Sequence, residues 1–214
     1  MFIDIHTHYK AEAPDTLALL QIPTGQVIPD AGIFSCGIHP WDTSRLTETE
    51  LSSLFSLLSR SASDSKNPLF AVGECGLDKL RGAALPVQQV WFKRQILLSE
   101  QSRRPLIVHC VKAWSELIAL HNELKPAMPW IIHGFRGKPE LAHQLLSKTN
   151  IFLSFGIKFN TETLLSTPLS KLFLETDDIQ YDIRRLYYSV ANERNISIDE
   201  LISQIECNFA SLNR

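Results

Sequence analysis

The feature that most constrains the fold is an alternation of short apolar runs with longer segments of helical periodicity. Eight runs are long enough for a strand, and they read FIDIHTH, TLALLQI, GIFSCGIHP, LFAVGECGLD, PLIVHCV, WIIHGF, IFLSFG and KLFLETD. Helices are predicted between most of them and after the last, at Glu48–Arg60, Pro86–Gln101, Lys112–Leu124, Pro139–Lys148, Tyr181–Asn195 and Ile198–Leu212. Because strand and helix alternate, the strands should be parallel, and eight of them favour a (β/α)8 barrel of the TIM type.

The connection between the first two runs departs from this regular pattern. Between His8 and Thr16 there is too little chain for a crossover helix, which takes a dozen or more residues. The barrel should therefore be abbreviated around strands one and two, and it should end in the two helices that follow the eighth strand. An open doubly wound sheet is the alternative, but its usual phosphate loop is absent, since neither G-x-G-x-x-G nor G-x-x-x-x-G-K-[ST] occurs.

Composition sets limits on the class of protein. With 214 residues, 44% of them apolar, the chain can bury one sizeable core, so we expect a single domain over residues 1–214. The formal net charge is -2, so nucleic acid would have to be bound by local cations. No stretch approaches about 18 consecutive apolar residues, and the first residues do not resemble a signal peptide. We therefore expect a cytoplasmic protein without a membrane span, while its oligomeric state stays open.

The first strand, IDIHTH, alternates polar and apolar side chains. Asp4, His6 and His8 should share one face, because side chains in a strand point to opposite faces with a period of two. The Cα atoms of the two histidines would lie roughly 6.6 Å apart, from a rise of about 3.3 Å per residue. At the end of a strand two such imidazoles can bind one metal ion, and a solvated edge strand is the alternative reading.

Similar side chains follow most of the other apolar runs, where the catalytic groups of a (β/α)8 barrel lie. Together with the first strand they are His6, His8, His39, Glu74, His109, His133 and Asp177. Buried carboxylates such as Glu74 and Asp177 would be costly without a cation. Mixed imidazole and carboxylate ligands suit Zn, Mn, Fe or Ni better than Mg, which stays among the candidates. Four histidines and two carboxylates are too many ligands for one tetrahedral site with an open position, so we expect two divalent cations sharing one carboxylate.

The cysteines are expected to pack rather than to bind metal. If the residues above point into the barrel, Cys75 and Cys110 point outward to the helices, and Cys36 does likewise opposite His39. A free cysteine usually serves as a small packing residue. The four cysteines show no C-x-x-C spacing, and in a reducing compartment they should remain thiols.

The strand segments together resemble a known family. IDIHTH, CGIHPW, AVGECGLD, PLIVHC, WIIHGFRG and LFLETD are similar to the successive motifs of the TatD-type metal-dependent hydrolases, and Gln89–Leu98 is similar to that family's Q-x-x-F-x-x-Q helix. The resemblance runs from Phe2 to Asp177, and the closing helices also look family-like. It implies a (β/α)8 barrel of the amidohydrolase kind that hydrolyses phosphodiester bonds in DNA or, in some relatives, esters on tRNA.

The resemblance also implies roles for particular residues. The ligands of two divalent cations would be His6, His8, Glu74, His109, His133 and Asp177. Glu74 and Asp177 would also be catalytic, Glu74 by holding the attacking water and Asp177 by orienting it. His39 is the third candidate catalytic residue.

Basic side chains follow several strands and should lie around the same mouth of the barrel. Five or more of them there favour a phosphate-bearing substrate, with DNA among the candidates. They are Lys79, Arg81, Lys112, Arg136, Lys138 and Lys158. Lys112 and Arg136 lie just past two ligand strands and are the predicted substrate-binding pair. Trp41, after His39, is a third candidate: it could stack on a base or equally pack under its own loop.

Two departures from the family bear on the substrate. After LFLETD the chain passes directly into a helix, and Lys79-Leu80 replaces an aromatic pair that often follows Gly-Leu-Asp. The leading hypothesis is a divalent-metal-dependent hydrolase of ester bonds, a two-metal phosphodiesterase or deoxyribonuclease. The alternatives are a metal-dependent hydrolase of a small ester, amide or phosphomonoester and, from another class, a non-catalytic metal-stabilised binding module.

Overall fold

The strands form one eight-stranded sheet in the computed structural model, which describes residues 1–11, 13–26, 32–64 and 68–212. They are parallel and follow one another in chain order from β1 to β8, as in a (β/α)8 barrel. Their bounds are β1 Phe2–Thr7, β2 Thr16–Pro23, β3 Ile33–Gly37, β4 Leu69–Asp78, β5 Leu106–Val111, β6 Trp130–Ile132, β7 Ile151–Phe155 and β8 Leu172–Leu174. All eight predicted strands and the predicted fold class are confirmed.

The six predicted helices are also present, each within three residues of its predicted ends. The helices are α1 Asp42–Arg45, α2 Glu48–Ser63, α3 Leu85–Ser102, α4 Trp114–Leu124, α5 Pro139–Leu146, α6 Thr161–Ser166, α7 Ile183–Arg194 and α8 Ile198–Ser211, with a 3-10 turn at Leu169–Lys171. Helices α1 and α6 and the 3-10 turn were not predicted, because one or two turns are too short to show a periodic apolar stripe. In the part of the chain that the structure describes, every helix is too short or too polar to cross a membrane.

The chain divides into two compact units. Unit 1 consists of Met1–Leu20 and Ile131–Arg214, and unit 2 consists of Gln21–Trp130. The prediction of one domain over residues 1–214 stays a prediction.

In unit 1, strand β1 is fixed on both of its edges. One edge pairs in parallel with β2. At the other edge, Asp177 N donates to the His6 carbonyl at 3.0 Å and His8 N donates to the Asp177 carbonyl at 2.9 Å. Above the strand, the Tyr187 hydroxyl of α7 bonds both the N–H and the carbonyl of Ile3 at 3.0 Å. Backbone pairing therefore sets the spacing of His6, His8 and Asp177.

The connection between β1 and β2 contains no helix among its described residues, 8–11 and 13–15, as the short spacing predicted. In a (β/α)8 barrel each strand is normally followed by a helix. A cavity of about 210 Å³ lies in unit 1, with lining residues from this connection, from β1 and β2, and from the segment 176–184.

In unit 2, strands β3, β4 and β5 pair in parallel, and two glycines allow β5 to come close to β4. Gly76 has φ +143°, and a Cβ atom there would collide with the carbonyl oxygen of His109. Gly73 has φ +133°, and its Cβ would collide with the carbonyl of Ile107. Only glycine adopts such angles without strain. The glycines flanking Glu74 are therefore required by the neighbouring strand that carries His109.

Candidate metal centre

Unit 1 brings together four of the predicted metal ligands, His6, His8, His133 and Asp177. The Nε2 atoms of His6 and His8 lie 3.6 and 3.7 Å from Oδ1 of Asp177. The rings of His6 and His133 are 4.6 Å apart, and one ligand atom from each of His6, His133 and Asp177 lies within 4.8 Å of the others. His6 is fully buried, whereas the His8 side chain is 40% exposed. Solvent therefore reaches this cluster at His8.

The spacing in unit 1 fits a divalent cation. Two ligand atoms bound at about 2.0–2.2 Å to one tetrahedral ion lie roughly 3.3–3.6 Å apart. The imidazole-to-carboxylate distances of 3.6 and 3.7 Å are close to that separation and longer than an ordinary hydrogen bond. Imidazole and carboxylate donors suit Zn, Mn, Fe and Ni. The cluster thus fits a metal ion by its spacing and by its donor atoms.

Two neighbouring features hold these ligands in place. Asp177 has φ +56°, a left-handed conformation that is uncommon outside glycine and concentrated at functional sites. Glu175 is fully buried, accepts a hydrogen bond from Gly134 N at 2.6 Å and lies 3.4 Å from Nδ1 of His133. The contact is electrostatic rather than a hydrogen bond, and a carboxylate beside one ring nitrogen orients a histidine so that the other nitrogen can bind metal.

Asp4 has a supporting role in unit 1. Its carboxylate accepts hydrogen bonds from Thr176 N at 3.0 Å and from Thr176 Oγ1 at 2.7 Å. Burial raises the pKa of Asp4 to about 7, although the bonds from Thr176 act to lower it. The alternation in IDIHTH therefore does two things: His6 and His8 face Asp177, and Asp4 holds the residue that precedes Asp177.

Unit 2 brings together Glu74, His109 and His39. Oε1 of Glu74 lies 2.8 Å from Nδ1 of His109 and 3.0 Å from Nε2 of His39. The two imidazole rings are 4.7 Å apart, and one ligand atom from each residue lies within 4.8 Å of the others. Glu74 lies in the middle of β4 rather than at its end, because β4 continues to pair with β5 as far as Asp78.

His39 differs from the other histidines in the state of its ring. The backbone N–H of Trp41 donates to His39 Nδ1 at 3.2 Å, so in the neutral ring Nε2 carries the proton. That proton is directed at Glu74 Oε1. A protonated Nε2 cannot also bind a cation, so the geometry supports the separate assignment of His39 as a proton-carrying catalytic candidate.

Sequence reasoning did not single out Asp78, which is 2% exposed. Its Oδ2 lies 3.2 Å from Nε2 of His109 and accepts from the Trp41 indole N–H at 2.7 Å. Burial acts to raise the pKa of Asp78, but the hydrogen bonds from Trp41, Leu80 N and His109 outweigh it and hold the pKa below its ordinary value. Strand parity could have identified it, since Glu74 and Asp78 are four residues apart and share a face of β4.

Three buried glutamines hold the backbone around unit 2's cluster, and sequence reasoning gave none of them a role, although Gln95 closes the Q-x-x-F-x-x-Q segment. Gln21 Oε1 accepts from Glu74 N at 2.8 Å. Gln95 of α3 accepts from Ile38 N at 2.7 Å and donates to the Ile38 carbonyl at 3.0 Å, one residue before His39. Their signal is a polar residue on the buried face of an element, which a search for ionisable groups does not find.

The third of these glutamines holds the loop after β4. Gln88, also on α3, accepts from Asp78 N at 2.7 Å. Its amide N–H₂ group donates to the carbonyls of Asp78, Arg81 and Ala83 at 2.8, 3.0 and 2.7 Å. Gln88 therefore fixes both Asp78 and the turn that follows it.

The cysteines lie apart from both clusters. Cys36, Cys75 and Cys110 are buried free thiols, and among the described residues no group of side chains spaced for a metal includes a cysteine. Burial raises the pKa of Cys110 to about 12 and raises that of Cys75. They are packing residues, as parity predicted.

The predicted substrate residues differ in their surroundings. Lys112 follows β5 with φ +53° and is exposed, as is Arg136 in unit 1. Trp41 is half-buried: its indole N–H is bonded to Asp78 and its ring lies at 82° to that of His39, with centroids 4.7 Å apart. Of the two readings of Trp41, this geometry favours packing under its loop.

The fold and the two clusters define a (β/α)8 protein with imidazole and carboxylate groups arranged for divalent cations. The chain belongs to the family described as TatD related DNase, whose profile it matches over residues 3–213. The predicted family is thereby confirmed.

Individual relatives agree with this assignment. A "3'-5' ssDNA/RNA exonuclease TatD" of Edwardsiella piscicida is 35% identical over 164 residues, covering 71% of this chain and 60% of that protein. An "Uncharacterized metal-dependent hydrolase YabD" of Bacillus subtilis (strain 168) is 30% identical over 150 residues, covering 66% of this chain and 56% of that protein. The matched stretch thus spans less than two thirds of these curated relatives.

Solved structures show the same fold. YJJV, a TatD homologue from Escherichia coli K12, superposes with a TM-score of 0.82 at 18% identity, covering 99% of this chain and 97% of the other. A TatD family hydrolase from Entamoeba histolytica gives a TM-score of 0.77 at 18% identity, again with 99% and 97% coverage.

Proposed function

We propose that this chain is a divalent-metal-dependent phosphodiesterase that cleaves nucleic acid, most simply single-stranded DNA. Six side chains would hold two divalent cations: His6, His8, Glu74, His109, His133 and Asp177. Zn, Mn, Fe and Ni fit this mixture of donors best, and Mg is the least suited because it prefers oxygen ligands. The names of the relatives, an exonuclease and a metal-dependent hydrolase, support the same class of reaction.

The observation that carries the proposal is the pairing of imidazole nitrogens with carboxylate oxygens at ion-compatible spacing in unit 1. His6 and His8 each approach the same oxygen of Asp177 at 3.6 and 3.7 Å. A hydrogen-bonded pair would close to about 2.7–3.2 Å. The protein holds these groups apart through the backbone bonds between β1 and Asp177.

The chain's own residues have distinct parts in the reaction. When bound, divalent cations supply Lewis-acid activation of water and of phosphate oxygens. Asp177 would accept a hydrogen bond from the attacking water and orient it. Glu74 Oε1 accepts from His39 Nε2, so His39 holds a proton that can pass to the departing oxygen. Asp78 fixes the ring of His109 through Nε2 and leaves Nδ1 directed at Glu74.

The substrate side of the proposal rests on exposed cations. Lys112 and Arg136 would contact phosphate oxygens of the substrate strand, which sets position and register rather than base preference. Trp41, the third predicted substrate residue, would act on the substrate indirectly, because its ring packs against His39 and its indole N–H bonds Asp78.

One experiment tests the class of reaction. The purified protein is analysed for metal, stripped with a chelator and reloaded with Zn, Mn, Ni or Mg. Each form is then assayed on labelled single-stranded DNA, bis(p-nitrophenyl) phosphate, p-nitrophenyl phosphate and p-nitrophenyl acetate. We expect metal-dependent cleavage of the first two. Cleavage of the monoester or the acetate alone would replace the proposal with a small-ester hydrolase, and metal binding without any turnover would indicate a binding module.

We also propose a cytoplasmic location. It is supported by four free thiols, three of them buried, in a chain with no disulfide among its described residues. Fractionation of cells that express a tagged chain, followed by detection of the tag, would test it.

A further inference from the structure

The loop after β4 carries two cations whose surroundings differ. Lys79 Nζ lies 2.7 Å from Glu116 Oε1, so a carboxylate already balances its charge. Arg81 is exposed and has no carboxylate within 4 Å among the described residues. An anion from solution would therefore compete with Glu116 at Lys79, whereas at Arg81 it would meet no competing carboxylate from the described part of the chain.

Arg81 is nevertheless held in one place. Its guanidinium carbon lies 4.0 Å from the centroid of the Trp41 ring, a close cation–π contact. Its backbone N–H donates to Asp78 Oδ1 at 3.1 Å, and its carbonyl accepts from Gln88 at 3.0 Å. Stacking occupies one face of the guanidinium and leaves its in-plane N–H donors, which match two phosphate oxygens.

The support for Arg81 leads directly to the ligand cluster of unit 2. The Trp41 indole N–H donates to Asp78 Oδ2 at 2.7 Å, and the same oxygen lies 3.2 Å from Nε2 of His109. Asp78 therefore orients a predicted metal ligand with one oxygen and, with the other, the backbone of Arg81. A phosphate group bound by Arg81 would have a fixed position relative to His109.

We propose that Arg81 is a substrate-binding residue that takes a phosphate of the nucleic-acid strand, and that Trp41 is its positioning residue. The inference rests on the proposed function and extends it, because it makes a strand with several phosphates, rather than a lone phosphate ester, the preferred substrate. Trp41 acts through stacking and through Asp78, and not as a platform for a base.

The test measures binding without turnover. Fluorescein-labelled single-stranded DNA of twelve or so nucleotides is titrated into the metal-free protein, with anisotropy recorded over a series of salt concentrations. We expect Arg81→Ala to weaken binding about tenfold and to reduce the slope of log K against log salt by about one. Arg81→Lys should recover part of the affinity, since it restores charge but not the planar fork.

Arg94→Ala is the matched control. Arg94 is also exposed and also stacks on a tryptophan of unit 2, with its guanidinium carbon 4.4 Å from the Trp91 centroid. The Arg94→Ala substitution removes the same charge and the same kind of stacking contact, but from an exposed position on α3. We expect it to change affinity less than about twofold. Equal losses in Arg81→Ala and Arg94→Ala would reduce the effect to net charge and overturn the proposal.

Trp41→Phe tests the positioning role. It keeps an aromatic face but removes the indole N–H that bonds Asp78. We expect Arg81→Ala to cost less in the Trp41→Phe background than in the wild type, because the two residues act as one unit. Additive effects would remove Trp41 from the proposal, and melting curves of each variant exclude loss of folding.

Hydrolysis of bis(p-nitrophenyl) phosphate separates this inference from the proposed function. A wild type that cleaves the small diester, with Arg81→Ala unchanged in strand binding and salt slope, leaves the function standing and removes Arg81. A wild type that cleaves no diester removes the function, and the anisotropy data then decide on their own whether Arg81 binds phosphate.

Discussion

The two ligand clusters use the same kinds of side chain but are held in different ways. In unit 1, Asp177 Oδ1 stands 3.6 and 3.7 Å from two imidazole nitrogens, and the spacing is fixed by backbone hydrogen bonds between β1 and Asp177. In unit 2, Glu74 Oε1 lies at hydrogen-bond distance, 2.8 and 3.0 Å, from His109 and His39. The ligands of the first cluster stand apart at a separation that suits a cation, whereas those of the second are already in contact with one another.

The difference shows what each cluster depends on. Unit 1's cluster depends mainly on pairing of main-chain groups, with Glu175 and Asp4 as its side-chain supports. Unit 2's cluster depends on side chains that were not predicted: Asp78 on His109, Gln21 on Glu74, and Gln95 before His39. A cation in unit 2 must displace the close contact between Glu74 and His109, so we expect the unit 1 cluster to fill first in a metal titration.

The largest effect should come from removing a ligand carboxylate in either unit. We expect Glu74→Gln and Asp177→Asn each to lower turnover by more than about a hundredfold, beyond the range of substitutions outside the ligand set. Their metal contents should differ. If one carboxylate serves both cations, as the sequence predicts, Glu74→Gln loses one or both ions, because two dications then repel each other with less compensation.

Asp177→Asn should retain at least one metal while its turnover collapses, since Asp177 also orients the attacking water. Metal stoichiometry by mass spectrometry and turnover on bis(p-nitrophenyl) phosphate are measured for both variants side by side. A Glu74→Gln protein with two metals and near-normal turnover would show that Glu74 does not serve both cations.

The next effect concerns the carboxylates behind the ligands. Asp78→Asn in unit 2 and Glu175→Gln in unit 1 each weaken the fixation of one histidine ring, His109 and His133 respectively. We expect each to lower metal affinity by about 10–100-fold. Asp78 contacts its histidine at 3.2 Å and Glu175 at 3.4 Å, so Asp78→Asn should be the more damaging. Calorimetric titration of the metal-free variants with metal measures these affinities. A larger loss in Glu175→Gln than in Asp78→Asn would contradict the view that unit 2 depends more on its supporting side chains than unit 1 does.

A smaller effect is expected from buried amides that hold strand ends. Gln95 bonds the N–H and the carbonyl of Ile38 in unit 2, and Asn208 bonds the carbonyls of Leu169 and Leu172 in unit 1. Either change to Ala should lower the free energy of unfolding by about 1–3 kcal/mol. Urea denaturation measures it.

The two amide variants should separate in activity. Below the melting transition, Gln95→Ala should also reduce turnover, because Ile38 precedes His39, whereas Asn208→Ala should leave the kinetics of the folded protein unchanged. Equal kinetics for both would mean that His39 does not depend on Gln95.

The smallest effect should follow from the exposed cations. Lys112→Ala in unit 2 and Arg136→Ala in unit 1 should raise KM for single-stranded DNA a few-fold each, about 0.5–1 kcal/mol, with metal content unchanged. Steady-state kinetics at low and moderate salt provide the measurement. Unaltered kinetics on every cleavable phosphate substrate would show that both are solvated surface residues that do not bind the substrate.

Much of the fold could be predicted because each strand is a short apolar run with clear boundaries. Even β2, which lacks a preceding helix, has the run TLALLQI that places it at Thr16–Pro23. Helix α6 could not be predicted, since its six residues expose too little periodicity and depend on the Asn160 side chain that accepts from Thr163 N.

The site was predictable only in part, for a related reason. A histidine directly after an apolar run, such as His133 after Trp130–Ile132, has few structural explanations and stands out. Asp78 and Glu175 each lie within a run that already contained a candidate carboxylate. The sequence alone did not show which carboxylate of each run would bind metal and which would orient a histidine. Gln95 acts by accepting from and donating to main-chain groups of another strand, and such a partner becomes visible only when the strands are placed.

The division of unit 1 into two separate stretches of chain has a consequence for the time course of synthesis. His6 and His8 leave the ribosome before Asp177, which follows roughly 170 residues later. At about 5–20 residues per second, the nascent chain spends roughly 10–30 s carrying two histidines without their carboxylate. Unit 2 is continuous and has all its groups by residue 109. The nascent polypeptide therefore cannot assemble its first-made ligands with their carboxylate until Asp177 has been synthesised and has left the ribosome.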